Sequence, residues 1–115
     1  MTVVIFHNPR CSKSRATLEL IRDAGQEPVV VPYLQTGWTK PQLQALFAVA
    51  GITAGDALRR GQAVAKEQGL LEDGVSEEAI LDAMVAHPEL VERPIVCSPK
   101  GVRICRPPEL VSDLL

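Results

Sequence analysis

The sequence predicts an α/β fold with a mixed sheet and a helical insertion between the second and third strands. Three observations carry that expectation. The chain opens with an apolar run, a stretch of helical period and a second β-branched run; its middle is a long block of helical pattern; and two short strand-like runs joined by Ser98-Pro99-Lys100-Gly101 come near its end. With 115 residues, 46% hydrophobic and 23% charged, it has the material of one ordinary domain, expected to span 1–115. A chain of this size buries roughly two thirds of its unfolded surface and needs no disulfide or metal to hold a core.

Thr2 to Phe6 is apolar and β-branched, is ended by His7-Asn8-Pro9, and reads as a buried first strand. From Ser12 to Ala24 the residues Thr17, Leu18, Leu20, Ile21 and Ala24 recur at helical spacing, and Gly25 is a natural stop. Pro28 to Leu34 is the second strand, which a crossover helix places parallel to the first as a right-handed βαβ unit. Pro32 lacks a ladder donor, so the end of this strand belongs near a sheet edge.

Thr39-Lys40-Pro41-Gln42 matches a capping box ahead of Leu43, Leu46, Phe47 and Ala50, and Gly51 ends that helix. Ala54 to Arg60 and Gln62 to Gln68 read as short helices separated by Gly61. Ser76, Glu77 and Glu78 start a longer one that carries Ile80, Leu81, Met84 and Val85, and His87-Pro88 closes it. Pro94 to Cys97 and Val102 to Cys105 should form an antiparallel hairpin. Pro107 and Pro108 then open a last helix with Leu110, Val111, Leu114 and Leu115 on its apolar face.

A formal net charge of -2 argues against a non-specific nucleic-acid binder. The apolar stretches Val3 to Phe6 and Val29 to Val31 are far short of the ~18 residues that cross a bilayer, so no membrane role is expected. No basic segment precedes the first strand and cysteine is scarce, which makes the cytoplasm the expected compartment. The cations are nonetheless clustered. Residues 7–15 carry Arg10, Lys13 and Arg15 without an acid, residues 93–106 carry Arg93, Lys100, Arg103 and Arg106, and the stretch between 61 and 92 is acidic with the single Lys66. A fold that joined the two basic segments would create a positive pocket suited to a small anion.

Cys11 stands in the turn before the first helix, where free amides and the helix dipole favour an anion such as a thiolate. His7, Arg10, Lys13 and Arg15 can push in the same direction, His7 either as imidazolium or as a donor to the sulfur. Ser14 makes the local motif C-x-x-S, so there is no local resolving thiol and electrons must be borrowed. Cys97 and Cys105 are expected to be structural. Neither zinc-ligand spacing nor a phosphate-binding or dinucleotide glycine signature is present, so no bound cofactor and no metal are expected. Arg59, Arg93 and Arg106 each stand at an element boundary, and guanidinium forks converging on a cysteine would bind a tetrahedral oxyanion.

The loop His7-Asn8-Pro9-Arg10-Cys11-Ser12-Lys13-Ser14-Arg15, together with Arg93-Pro94-Ile95-Val96 and Arg103-Ile104-Cys105-Arg106-Pro107-Pro108, closely resembles the glutaredoxin-linked arsenate reductase family, in its housekeeping-type branch. The resemblance covers essentially the whole chain. It implies a thioredoxin/glutaredoxin-like fold with a helical insertion and a cis proline at Pro94. It also implies Cys11 as nucleophile, His7 as the histidine that lowers its pKa, Asn8, Ser14 and Arg15 as the supporting loop, and Arg59, Arg93 and Arg106 as oxyanion ligands. The partners implied are arsenate or a similar oxyanion, glutathione as co-substrate, and a glutaredoxin.

Three functions compete at this point. The first is glutathione- and glutaredoxin-dependent reduction of arsenate through a Cys11 thiol-arsenate intermediate. The second is a monothiol glutathione-dependent oxidoreductase that needs Cys11 but none of the three arginines. The third is a non-catalytic binding module like the transcription-regulating branch of the same fold, against whose C-x-x-C switch Ser14 speaks.

Overall fold

A computed structural model describes residues 1–115, and the chain folds into two compact units, one formed by Met1–Thr36 with Arg93–Leu115 and the other by Gly37–Glu92. The first unit holds a four-stranded mixed sheet in the order β2-β1-β3-β4, made of β1 (Val4–Phe6), β2 (Val29–Val31), β3 (Ile95–Ser98) and β4 (Gly101–Ile104). β1 pairs parallel with β2 through α1 (Ser12–Asp23) and antiparallel with β3. β3 and β4 form the expected hairpin. β2 is an edge strand, as Pro32 suggested, and its Val29 and Val30 are exposed.

The core of this unit is the apolar side of the sheet closed by α1 and the C-terminal segment. Val3, Ile5, Ile21, Val96, Cys105, Val111 and Leu114 form one buried cluster against which Leu18, Leu20 and Leu115 pack. Burial of such side chains contributes roughly 1.5 to 3 kcal/mol each, enough to hold a short-stranded sheet. Arg93–Pro94 is cis, as the resemblance implied, and Arg106–Pro107 is cis as well, which the sequence did not announce.

Three elements differ from the sequence reading, and one is the short helix expected over Ala54 to Arg60, which ends at Ala57 because Leu58 bridges to Val91. The run expected as a strand to Leu34 stops at Val31, and α2 (Tyr33–Thr36) follows. Pro32 ends the ladder and its carbonyl accepts the amides of Gln35 and Thr36, which turns the chain. The expected last helix is a 3-10 helix over Pro108–Leu114. Its buried Pro108, Val111 and Leu114 recur every third residue, the 3-10 period.

The second unit is helical: α3 (Lys40–Ala50), α4 (Ala54–Ala57), α5 (Ala63–Glu67) and α6 (Glu77–Ala86), then a 3-10 turn at Pro88–Leu90. The capping box at Thr39 and Gln42 is present, and a second one, unforeseen, joins Thr53 and Asp56 at α4. Gly51 adopts φ 70°, the left-handed cap that ends α3. No helix is long and apolar enough to cross a membrane.

Candidate active site

The end of β1 passes directly into the loop that carries Cys11. The His7 amide donates to Val31 O at 2.8 Å, so the loop starts as an extension of the β1–β2 pair. It then tightens: the Arg10 amide donates to Asn8 Oδ1 at 3.0 Å and the Cys11 amide to Asn8 O at 3.0 Å. Ser14, fully buried, closes the loop from within, its Oγ accepting the Asn8 amide at 3.0 Å and lying 2.6 Å from His7 Nδ1. Arg15 closes it from outside, Nη1 donating to Pro9 O at 2.8 Å. Asn8, Ser14 and Arg15 thus each hydrogen-bond to the backbone of the loop that carries Cys11.

Cys11 is the N-cap residue of α1, in an extended conformation, and is 7% exposed. Burial alone would raise its pKa, and this is the largest single influence on it. The Ser14 and Lys13 amides and the Arg93 guanidinium together outweigh burial and hold the thiol below its ordinary range. The cysteine makes no formal capping hydrogen bond, so the amides act as oriented dipoles at the open end of the helix. Arg93 favours the thiolate both by its charge and as a donor.

For His7 the sequence left two states open, imidazolium and neutral donor. Burial, reinforced by repulsion from Arg22 and Arg15, lowers its pKa, so the neutral imidazole is favoured and the imidazolium option is not. It is not among the groups that lower Cys11. Its short contact to Ser14 is satisfied when that hydroxyl, already accepting from Asn8, donates its proton to Nδ1. His7 therefore acts on Ser14, whose amide acts on the sulfur.

The two basic segments do meet. Antiparallel pairing sets Phe6 opposite Ile95, which brings Arg93, two residues before Ile95, beside the start of the Cys11 loop. Arg106 follows β4 and Nη1 donates to Arg93 O at 3.2 Å, so the second arginine is tied to the first. Arg59 belongs to the helical unit. Its amide donates to Leu90 O at 2.8 Å, Nη1 to Glu89 O at 3.4 Å, and Nε lies 3.8 Å from the Glu92 carboxylate. Gln62 Oε1, with the amide turned to face the guanidinium, accepts from Nη2 at 3.0 Å and Nη1 at 3.2 Å. The neighbouring Arg60 is exposed and turns back to Gly55 O. The place of Arg59 in an oxyanion set rests on the resemblance.

The other two thiols are not equivalent to Cys11. Burial pushes the Cys97 thiol up, and it pushes Cys105 up to about 12 although Arg103 pulls the other way. What the sequence did not reveal was that Arg93 would act on the thiol itself, because only the strand register places it there.

A model of the ArsC family matches residues 6–114. The chain belongs to the ArsC family. An arsenate reductase of Synechocystis sp. is 57% identical over 98% of this chain and 81% of its own length, and an arsenate reductase of Escherichia coli (strain K12) is 43% identical over 98% and 80%. The solved arsenate reductase from Vibrio cholerae superposes with a TM-score of 0.96 at 40% identity, covering 100% of this chain and 98% of its own. The fold is thus that of the ArsC family, with the helical unit inserted between β2 and β3.

Proposed function

We propose that this protein reduces arsenate to arsenite, with the Cys11 thiolate as nucleophile and glutathione and a glutaredoxin as the source of electrons. One observation carries the reading: the pKa of a buried cysteine at a helix N-terminus is lowered by the Ser14 amide and by Arg93, whose carbonyl accepts from the Arg106 guanidinium and so keeps a second cation beside it for an oxyanion. Names of relatives at 43 and 57% identity over nearly the whole chain support arsenate as that oxyanion.

In this reading Cys11 Sγ attacks the arsenic, a S–As bond forms, and an arsenate oxygen leaves as hydroxide or, once protonated, water. Arg93 and Arg106 neutralise the oxyanion as charge is brought together with the thiolate. Glutathione, as thiolate, then attacks Cys11 Sγ. The new S–S bond forms as the S–As bond breaks, and its electron pair goes to arsenic, which falls from the pentavalent to the trivalent state. Two thiol sulfurs are oxidised to one disulfide. A glutaredoxin thiolate removes the glutathione from Cys11 and restores the thiolate, so a single cysteine followed by Ser14 suffices. His7 is a positioning residue, keeping Ser14 and therefore the amides at the sulfur in place.

The test is arsenite production from arsenate by the purified protein with glutathione, a glutaredoxin, glutathione reductase and NADPH, run beside Cys11→Ser. Turnover that the variant loses supports the reading. Absence of arsenite from the wild type, with Cys11 still reacting as a low-pKa thiolate, would transfer the site to glutathione exchange on proteins.

A further inference from the structure

The Cys11 loop has two flanks, and the mechanism so far uses one. Arg93 and Arg106 stand on the β3–β4 side of β1. On the β2 side the same loop walls a cleft of about 260 Å³, with His7 and Arg10 on one side and Pro32, Leu34 and Gln35 on the other. Leu34 is 45% exposed, no carboxylate lines the cleft, and Arg10 is the residue directly before the nucleophile. The surface is thus part apolar and part cationic, with amide and imidazole groups between.

We propose that this cleft seats the glutathione that attacks Cys11, an inference that rests on the function proposed above. Charge complementarity selects the occupant: a peptide thiol with two carboxylates matches an acid-free cleft with Arg10 at its rim, and its methylene and peptide groups match Pro32 and Leu34. The volume is at the small end for ligand pockets, of a size for part of a tripeptide whose remainder stays in solvent. The chemistry selects the side. Displacement at sulfur proceeds in line, so the incoming thiolate must approach Cys11 Sγ opposite the departing arsenic. In the function proposed above arsenic sits on the Arg93 side; the cleft lies on the other flank of β1 and is lined by His7 to Arg10, the residues that lead up to Cys11, and not by Cys11 itself. The arrangement separates the two substrates across one loop.

The test omits arsenate. Cys11 thiolate attacks oxidised glutathione to give the Cys11–glutathione disulfide and one glutathione thiolate, and the rate is followed by intact mass with peptide mapping to Cys11. The same rate is measured with 2-hydroxyethyl disulfide, which is neutral and not a peptide. Arg10→Glu should slow the glutathione reaction about tenfold and Leu34→Ser about threefold, with the neutral disulfide unchanged in both. Both side chains are exposed, so folding is not at stake, and Arg10→Lys should restore most of the rate. The proposal is overturned if Leu34→Ser reacts with oxidised glutathione as the wild type does, or if both disulfides slow in parallel. It is also overturned if high salt erases the whole Arg10→Glu effect, since long-range charge would then explain it. Failure of the arsenate assay would sink the reductase reading and leave this ratio untouched, so the two failures are distinct.

Discussion

Cys11 and Cys105 belong to the same folded unit and are both buried, at 7% and 0% exposure, yet their acidities are displaced in opposite directions. Cys105 lies in the apolar cluster with Val3, Ile21 and Val111, where its thiolate would have no solvation, and it follows a strand that carries Arg103. The nearby cation does not rescue it. Cys11 also pays for burial, but the first amides of α1 point along its helix axis toward it and Arg93 acts on it from the turn that leads into β3. Neither burial nor an arginine close in sequence decides whether a cysteine is a nucleophile. Oriented donors do, and they are supplied by secondary structure.

The largest test of this contrast exchanges each sulfur in turn. Cys11→Ser should lower arsenite production by on the order of a thousandfold or more, because a serine at this helix end stays protonated, while the thermal unfolding midpoint stays close to the wild type's. Cys105→Ala should leave turnover intact and instead cost about 1 kcal/mol of stability through the small cavity it opens. Turnover lost with Cys105, or kept without Cys11, would reverse the assignment of the two thiols.

Next in size is Arg93→Ala, which removes one of the groups that set Cys11 apart and one of the proposed oxyanion ligands. Loss of a charged hydrogen-bonded contact is worth about 1.5 to 3 kcal/mol, so the arsenate KM should rise roughly ten- to a hundredfold. The rate of alkylation of Cys11 by iodoacetamide gives an independent reading. A lowered pKa means that the thiolate forms at a lower pH than in a free thiol, so the wild-type rate should climb and level off at a lower pH as well. In Arg93→Ala the whole profile should move to higher pH. Cys97 and Cys105, displaced the other way, should remain unmodified at neutral pH in both proteins. An unmoved profile would leave the helix amides as the source of the acidity.

Much of this was legible in the sequence, and the boundary between legible and not is physical. Runs such as Val29 to Val31, the capping pair Thr39 and Gln42, and the turn at Ser98 to Gly101 are local signals and yielded β2, α3 and the hairpin. The α1 start after Cys11 was local too, which is why the nucleophile could be named. What the sequence lacked was register. The influence of Arg93 on a cysteine 82 positions away (93 - 11) depends on Phe6 facing Ile95 in an antiparallel pair, and no spacing in the chain encodes it. The charge of His7 stayed open in the sequence for a related reason: it depends on burial and on Arg22 and Arg15, which α1 brings near only once folded. α2 was hidden because Pro32 ends a strand as readily as it marks an edge.

The smallest effect is expected at Ser14, and it separates support from chemistry within the Cys11 loop. Its hydroxyl accepts the buried Asn8 amide and meets His7 Nδ1, while its own amide, not its side chain, acts on the sulfur. Ser14→Ala keeps that amide and improves helix propensity, but it strands a buried donor at Asn8, for about 1 to 2 kcal/mol of net stability in chemical denaturation. Because the loop then loses its inner tie, Cys11 should alkylate with a profile shifted slightly to higher pH, by less than in Arg93→Ala. Asn8 is also held through Oδ1 by the Arg10 amide, so the loop retains its turn and catalysis should fall only a fewfold. A loss of turnover as deep as that of Cys11→Ser would mean that the Ser14 hydroxyl itself takes part in the reaction, and the division between the residue that reacts and the residues that aim it would have to be redrawn.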